Sequence, residues 1–225
     1  MSSPIIKGFG QGSVDLARWA EEVYTPEDEV LREIRERSVR EGLPAIAVGR
    51  FDGLHLEVLA RSTGGKKAVE IGTLGGYSGV CLLRGMGEGG FLHTFEIEER
   101  NARVARESLA RAGFSGRFAI HLGPAAANLA EIASEAPFDL MFIDADKVGY
   151  PVYLDWAAEH LAIGGVVLAD NAFGWGGVAD PAYTGDNVES IRALRRFSEN
   201  LARGGRFRAT MIPTEEGLAM GVKVR

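Results

Sequence analysis

The chain has 225 residues, of which 46% are hydrophobic, a size and composition that suit one domain with a sizeable core. Its net charge of −6 argues against general affinity for nucleic acid, and its single cysteine, Cys81, excludes an intrachain disulfide and a thiolate metal site. No apolar run approaches the roughly 20 residues of a membrane helix, and the first residues lack the pattern of a signal peptide. We therefore expect a soluble cytoplasmic protein with Cys81 packed inside it.

The first quarter of the chain predicts helices. Apolar and charged residues alternate at helical spacing over 14–24, and a proline in the first turn predicts a second helix from Pro26 to Arg40. A third is predicted over Phe51 to Ser62. The charges of the second helix suit a solvated face: Arg32, Glu33, Arg35, Glu36 and Arg37. We interpret residues 1–66 as a helical cap belonging to the same domain as an α/β core over 67–225.

From Lys67 onward, strand and helix patterns alternate. The predicted strands are Ala68–Ile71, Phe91–Glu96, Phe118–Leu122, Phe138–Asp144 and Val166–Asp170. The predicted helices are Val80–Leu83, Arg100–Ala112, Ala126–Ser134, Tyr150–Leu161 and Val188–Ala202. Strands that are apolar throughout are typical of a parallel sheet with helices on both faces. Two final strand patterns, separated by a short turn, predict an antiparallel hairpin.

A glycine-rich stretch follows the first predicted strand. In KAVEIGTLGGYSG (67–79) the strand runs into glycines just before a helix begins. Glycines let the backbone approach a ligand closely, and the N–H groups of the helix start face such a ligand. A tight strand-to-helix turn without a ligand is the alternative explanation of this stretch.

Charged and polar side chains stand where the predicted strands end. They are Glu70, Glu96, Asp144, Asp146, Lys147, Asp170 and Asn171. Ligands of open α/β sheets bind beyond the carboxyl ends of the strands, which favours a site at this edge over a merely solvated rim. Glu96 follows Gly72 by 24 residues, the distance at which an acid binds ribose hydroxyls in nucleotide-binding folds. A dinucleotide is disfavoured because Leu74 breaks the G-x-G-x-x-G pattern.

Three oxygen ligands at two neighbouring strand ends fit one divalent cation. Two carboxylates, Asp144 and Asp170, and the amide of Asn171 suit Mg2+, with positions left open for substrate and water. No histidine pairing suggests zinc. Each of the four histidines is interpreted as a packing or surface residue: His55, His93, His121 and His160.

Four stretches together resemble the cation-dependent O-methyltransferases, the family of catechol and caffeoyl-coenzyme A O-methyltransferases and their bacterial relatives. They are VEIGTLGGYSG, FEIEERN, FIDADKVGY and VVLADN, and the resemblance runs from about Leu31 to the last residues. It implies a Rossmann-like methyltransferase fold with a seven-stranded, mostly parallel sheet, an antiparallel C-terminal hairpin, and S-adenosyl-L-methionine as the cofactor. A homodimer is also expected from the resemblance alone.

The resemblance also implies roles for individual residues. Cofactor contacts are implied for Val48 (through its backbone), Glu70, Gly72, Thr73, Ser78, Glu96, Ala125, Asp144 and Asp146. The implied metal ligands are Asp144, Asp170 and Asn171, and Lys147 matches the lysine taken to be the general base. Pro124 stands where relatives often carry an acid, which departs from the family pattern beside the adenine.

The leading interpretation of the substrate is a small vicinal dihydroxy aromatic. The loop from Ala172 to Tyr183 follows the metal-binding pair and holds Phe173 and Trp175 among glycines, which suits a mobile lid with aromatic walls. The competing explanation is that these aromatic rings cover the end of the sheet or enter a dimer interface.

Three other functions remain open at this point. Some bacterial relatives methylate hydroxyuridine in transfer RNA, and six arginines offer an RNA face: Arg192, Arg195, Arg196, Arg203, Arg206 and Arg208. Amphipathic surface is the commoner explanation of such arginines. A cofactor-binding regulator without catalysis and a nicotinamide dehydrogenase are the more distant alternatives.

Overall fold

The computed structural model of the protein describes residues 14–225, so the first part of the predicted cap lies outside the described residues. One seven-stranded sheet organises the chain. Its strands are β1 (Lys67–Ile71), β2 (Phe91–Glu96), β3 (Phe118–Leu122), β4 (Phe138–Ile143), β5 (Leu161–Ala169), β6 (Phe207–Ile212) and β7 (Leu218–Lys223).

The strand order across the sheet is β3-β2-β1-β4-β5-β7-β6. The first five strands pair in parallel, whereas β7 runs antiparallel to both β5 and β6. The order reverses at β1, between β2 and β4, which is the switch point where ligands of such sheets bind. The predicted fold, a mostly parallel Rossmann-like sheet with an antiparallel C-terminal hairpin, is confirmed.

Eight α-helices are described. They are α1 (Val14–Tyr24), α2 (Glu29–Arg40), α3 (Arg50–Thr63), α4 (Tyr77–Met86), α5 (Glu99–Leu109), α6 (Ala125–Asn128), α7 (Tyr150–His160) and α8 (Val188–Arg203). A π-helical turn, Ala110–Phe114, extends α5, and 3-10 turns occur at Leu129–Glu135, Lys147–Gly149 and Gly174–Ala179. Within residues 14–225 no helix is long and apolar enough to cross a membrane.

Two apolar layers pack against the sheet, one on each face. Alternation along β1 separates them: Val69 and Ile71 join the layer formed with α7 and α8, whereas Ala68 joins the layer formed with α3 and α4. Cys81 of α4 is buried in the second layer, as predicted. Both faces of the central strands β1 and β4 are therefore covered.

Several predicted boundaries are wrong. The second helix begins at Glu29 rather than Pro26, because the Asp28 side chain accepts a hydrogen bond from Leu31 N (3.0 Å) and caps the helix there. The helix predicted over 126–134 is a single α turn followed by a 3-10 turn. Strand β5 begins five residues earlier than predicted, at Leu161.

The charges of α2 do not all face solvent. Arg37 is buried and forms an ion pair with Glu107 of α5. The Arg35 guanidinium lies 4.5 Å from the centroid of the Tyr77 ring and donates to Glu27 Oε1 (2.9 Å). These two arginines fasten α2 to the sheet domain, so the predicted solvated face is wrong at both positions.

Candidate active site

The backbone of the glycine loop passes close to the backbone that follows β4. Gly72 has φ +98, and a Cβ there would lie 2.0 Å from the carbonyl oxygen of Asp144. Its N–H donates to the carbonyl of Phe95 at 3.0 Å. Only glycine fits this conformation and this spacing, because any Cβ would collide with the backbone that follows β4. The loop therefore lies directly over the carboxyl ends of three neighbouring strands.

Glu96 ends β2 beside this loop. Its Oε2 accepts from Leu74 N at 2.8 Å, and its Oε1 accepts from the backbone N–H groups of Ile97 and Glu98 at 3.0 Å. The Glu96 residue is 7% exposed. It is thus fixed at the strand end by three backbone donors, in the place from which the predicted ribose contact would be made.

Glu70 is completely buried at the end of β1. Thr94 Oγ1 donates to its Oε2 at 2.6 Å. Burial raises the pKa of the Glu70 carboxyl to about 7, against the opposing hydrogen bonds from Ser78 and Thr94, and the nearby carboxylates of Asp144 and Glu96 raise it further. Glu70 Oε1 has no hydrogen-bond partner within the described chain. A buried carboxyl with an open acceptor atom suits a cationic or hydrogen-bond-donating ligand group.

A pair of threonines supports this carboxyl. Thr73 Oγ1 lies 2.5 Å from Thr94 Oγ1 and 3.1 Å from the Phe95 carbonyl. Thr73 and Ser78 are both buried, one in the glycine loop and one in the first turn of α4. Four of the predicted cofactor residues, Glu70, Gly72, Thr73 and Ser78, are therefore brought together.

Two further predicted cofactor residues, Val48 and Ala125, belong to other parts of the chain. Val48 is buried just before α3, and its carbonyl accepts from Arg35 Nη2 at 3.1 Å. Its carbonyl is thus bound to the α2 helix. Ala125 is the first residue of α6, directly after Pro124, and is also buried.

The end of β4 carries the predicted base. Lys147 Nζ lies 3.1 Å from Asp144 Oδ1 and 2.8 Å from the hydroxyl of Tyr150. The lysine and aspartate side chains are only 11% and 22% exposed. Lys147 and Asp144 therefore form an ion pair in a largely enclosed position.

Tyr150 contacts Lys147 from the protein interior. It is fully buried, and its hydroxyl lies 3.2 Å from the Ile143 carbonyl and 3.1 Å from the Asp170 carbonyl. Burial raises the pKa of Tyr150 well above its ordinary value, and the carboxylates of Asp144 and Asp170 add to the effect. The hydroxyl stays protonated, so it donates to a strand-end carbonyl while it accepts from Lys147.

Asp146 is held by the turn that follows it. Its Oδ2 accepts from Gly149 N at 2.8 Å, and its Oδ1 accepts from the Tyr153 hydroxyl at 2.7 Å. Burial and the hydrogen bond to Asp146 raise the pKa of Tyr153 above its ordinary value. Asp146 thus caps the 3-10 turn that carries Lys147.

The end of β5 supplies the other two predicted metal ligands. Asp170 is 1% exposed, and its Oδ1 accepts from Asn171 N at 2.8 Å. Asn171 is 8% exposed and has φ +55, a left-handed conformation that asparagine tolerates better than most residues. Asp170 N in turn donates to the Ile143 carbonyl at 3.0 Å, which places this end beside that of β4.

The donor set matches the preferences of a hard divalent cation. Two carboxylates and an amide oxygen stand at the ends of paired strands, and both carboxylates act electrostatically on the same Tyr150 hydroxyl. In the part of the chain that the structure describes, no three His, Cys, Asp or Glu side chains are grouped to hold a metal ion. Of Asp144, Asp170 and Asn171, only the two aspartates belong to those residue types. The three side chains offer oxygen donors, which fit Mg2+ in chemistry.

The loop after Asn171 is pinned to the protein. Arg195 of α8 donates to the carbonyls of Val178 (3.0 Å) and Gly177 (2.7 Å), and also to that of Asp180. The Arg195 guanidinium is therefore engaged by backbone carbonyls of this loop. Phe173 packs against Gly217, whereas Trp175 is 60% exposed with φ +53.

Two of the four histidines interact with each other. His93 Nδ1 lies 3.1 Å from His121 Nε2, and the two rings are stacked. His93 Nε2 lies 3.2 Å from Glu135 Oε2. Burial lowers the pKa of His93. The pair lies between β2 and β3 and fastens the 3-10 turn after α6 to the sheet.

Three residues of the site were missed from the sequence. Tyr150 follows Lys147 by three residues, a spacing that brings both to one side of a helical turn, and this signal was available. Thr94 lies two residues before Glu96 on the same strand face, which is a weaker signal. Glu216, which contacts Asn171 from 45 residues away, left no local signal.

Comparisons with known proteins decide the family. The O-methyltransferase family model matches residues 21–224. This chain belongs to the O-methyltransferase family. It is 39% identical to the catechol O-methyltransferase of Mycobacterium tuberculosis over 158 residues, 70% of this chain and 71% of that protein.

Solved structures agree with that assignment. The O-methyltransferase from Bacillus cereus in complex with SAH is 33% identical with a TM-score of 0.86, covering 93% of this chain and 97% of that one. The O-methyltransferase TomG from Streptomyces achromogenes in complex with SAM is 30% identical with a TM-score of 0.86, covering 100% of both chains. This O-methyltransferase therefore uses S-adenosylmethionine. A non-catalytic regulator and a nicotinamide dehydrogenase are excluded as its class.

Proposed function

We propose that this O-methyltransferase transfers the methyl group of S-adenosylmethionine to one hydroxyl of a small vicinal dihydroxy aromatic, with Mg2+ as a required cation. The observation that carries the proposal is the placement of Asp144, Asp170 and Asn171 at paired strand ends, with Lys147 Nζ 3.1 Å from Asp144 Oδ1. The catechol O-methyltransferase name of the relative at 39% identity supports the same acceptor.

The chain's own residues divide the work between two halves of the strand edge. Glu70, Thr73 and Glu96 occupy the ends of β1 and β2 and the loop between them, where the cofactor would bind. Lys147 and Asp170 occupy the ends of β4 and β5, where the acceptor would bind. Bound S-adenosylmethionine supplies an electrophilic methyl group. The separation between the cofactor half and the acceptor half of the strand edge therefore sets how the acceptor oxygen aligns with the methyl carbon.

Lys147 is proposed to take the proton of the acceptor hydroxyl at Nζ. Tyr150 and Asp144 hold that nitrogen from two sides at 2.8 and 3.1 Å, which fixes where the hydroxyl must lie. A bound Mg2+ supplies positive charge that favours the ionised form of the hydroxyl. Two carboxylates and one amide would leave positions on a bound Mg2+ open. Two adjacent hydroxyl oxygens of an aromatic ring would take two of those positions.

A loop with glycine and aromatic residues follows Asn171. Trp175 is 60% exposed in the loop that Arg195 pins, close in sequence to Asn171. An exposed indole suits a planar ring, since two aromatic rings pack offset-stacked or edge to face. We therefore propose that Trp175 contacts the acceptor.

The experiment measures transfer of labelled methyl from S-adenosylmethionine to catechol, caffeoyl-coenzyme A and unmodified transfer RNA, with Mg2+ and with EDTA. Catechol should be methylated, EDTA should abolish the transfer, and added Mg2+ should restore it. Asp170→Asn should lower kcat by at least about a hundredfold, whereas Asp155→Asn, an exposed control on α7, should not. Transfer that persists in EDTA would refute the cation, and transfer only to RNA would refute the acceptor.

The homodimer expected from the resemblance is also proposed. On α1, Trp19, Val23 and Tyr24 are 54%, 54% and 60% exposed. Apolar surface of this kind is commonly buried between subunits. Analytical ultracentrifugation at micromolar concentration should give twice the 24.2 kDa chain mass, and a single-chain mass would refute the dimer.

A further inference from the structure

The turn between β6 and β7 reaches the same edge of the sheet as the candidate site. Strand β6 is parallel to β5 because both run antiparallel to β7, so β6 ends, and β7 begins, where β4 and β5 end. Two backbone hydrogen bonds join this turn to the chain after Asn171. Ala172 N donates to the Gly217 carbonyl at 2.9 Å, and Phe173 N donates to the Glu216 carbonyl at 3.0 Å.

A side chain of this turn determines how the Asn171 amide is oriented. Asn171 Nδ2 donates to Glu216 Oε2 at 2.5 Å. An ionised carboxylate only accepts hydrogen bonds, so the NH2 end of the amide must face Glu216 and the oxygen end must face away from it. The backbone on either side of Asn171 is fixed as well, because its own N–H donates to Asp170 Oδ1.

The orientation matters because the two ends of a side-chain amide differ in sign. The oxygen attracts a cation, whereas the NH2 group repels it, and the two ends have nearly the same size. We propose that Glu216 is a positioning residue that turns the Asn171 oxygen toward the cation. This inference rests on the proposed function, since it concerns the cation of that same site.

Charge reversal at Glu216 gives a sharp test, because lysine is only a donor. In Glu216→Lys the amide oxygen is drawn to the ammonium, and the NH2 end is left facing the cation site. Glu216→Gln keeps an acceptor oxygen for Nδ2 and should preserve the orientation. Glu215→Lys makes the same charge change at the exposed neighbouring residue and serves as the matched control.

The readout is Mn2+ affinity, measured from the EPR signal of the free ion with no acceptor present. We expect Glu216→Ala to weaken Mn2+ binding about tenfold and Glu216→Lys about a hundredfold, as is usual for residues that orient metal ligands. Glu216→Gln and Glu215→Lys should stay within about threefold of the parent. The affinity for S-adenosylmethionine and the melting temperature should change little in all four variants.

Each contrary result has a separate meaning. If Asp170→Asn weakens Mn2+ binding but Glu216→Ala and Glu216→Lys do not, the cation proposal stands and the role of Glu216 is refuted. Equal losses in Glu215→Lys and Glu216→Lys would show a charge effect without orientation, which also refutes it. Parallel loss of cofactor affinity and melting temperature would show a merely structural residue. A parent protein that binds no Mn2+ would refute the cation proposal itself, together with this inference.

Discussion

Lys147 and Tyr150 are joined by a hydrogen bond of 2.8 Å between the lysine Nζ and the phenol oxygen. The two residues lie three positions apart, at the start of the 3-10 turn and the start of α7, so local structure holds them together. The same phenol oxygen reaches the carbonyls of Ile143 and Asp170. One buried atom therefore connects the ends of β4 and β5 with the proposed base.

Replacing Tyr150 by phenylalanine should reduce catalysis more than cofactor binding. The ring still fills its buried site, but Lys147 loses one of its two partners and the phenol proton is no longer donated to a strand-end carbonyl. We expect kcat to fall at least about tenfold and the free energy of unfolding to fall by about 1–2 kcal/mol. Tyr24→Phe, at an exposed tyrosine, is the control. Steady-state kinetics check the result, and an unchanged kcat would contradict it.

Gly72→Ala should be far more destabilising than Gly64→Ala. Both glycines have positive φ, +98 and +63, so both alanines are strained by about 1 kcal/mol. At Gly72 the added Cβ also meets the Asp144 carbonyl oxygen, whereas at Gly64 it meets nothing within 4 Å. We expect Gly72→Ala to lose at least about 2 kcal/mol more, as overpacked sites do. Urea unfolding measures the free energy of unfolding of both variants. Equal losses would show that the glycine loop shifts to accommodate the added Cβ.

Glu70→Gln should change how stability depends on pH. The folded-state pKa of Glu70 is about 7 against an ordinary 4.5, so between these values the folded protein binds more protons than the unfolded chain. The free energy of unfolding should therefore fall as pH rises through this window and level off above about pH 7. The contribution is up to about 3 kcal/mol. The variant lacks this proton, so its stability relative to the parent should rise over the same window.

Urea unfolding of the cofactor-free protein at about pH 5, 6, 7 and 8 would follow this difference. Glu88→Gln, at an exposed glutamate, should track the parent at every pH. A difference between the parent and Glu70→Gln that stays constant with pH would mean that Glu70 is ionised throughout.

Arg195→Ala should release the loop after Asn171. Its guanidinium donates to three backbone carbonyls of that loop. We expect a KM for the acceptor raised about tenfold, faster proteolysis within 174–183, and an unchanged affinity for S-adenosylmethionine. Arg192→Ala, which removes only an exposed ion pair with Glu189, should behave as the parent. Equal behaviour of both variants would show that the loop is held by other contacts.

Sequence reasoning predicted the sheet well because its signals are local. Apolar runs that end in Asp144 and Asp170 identified both strand ends, and the turn before Leu218 identified the antiparallel hairpin. Helix boundaries were less accurate, since α2 begins at Glu29, after the Asp28 cap, rather than at Pro26. A capping hydrogen bond competes with proline preference, and only the fold decides between them.

Of the candidate site, the sequence predicted the residues that stand at strand ends, but not the residues that support them. Thr94 and Tyr150 support Glu70 and Lys147 from beneath, where a sequence shows only an ordinary buried strand or helix residue. Arg37 was assigned to solvent because its partner, Glu107, lies 70 residues away. Contacts between distant segments leave no periodic pattern in the sequence, so the supporting residues of a site are identified only from the structure.

The position of β7 has a consequence for dividing the molecule. The strand fills the gap between β5 and β6, pairing with both along most of its length. A chain cut after Glu215 would leave a slot one strand wide, with unpaired backbone groups on both sides. The segment 216–225 carries Glu216 and the whole of β7, so as a separate peptide it could close the slot by strand addition and restore the edge of the sheet. The protein is thus a natural candidate for a split enzyme whose methyl transfer reports the meeting of its two fragments.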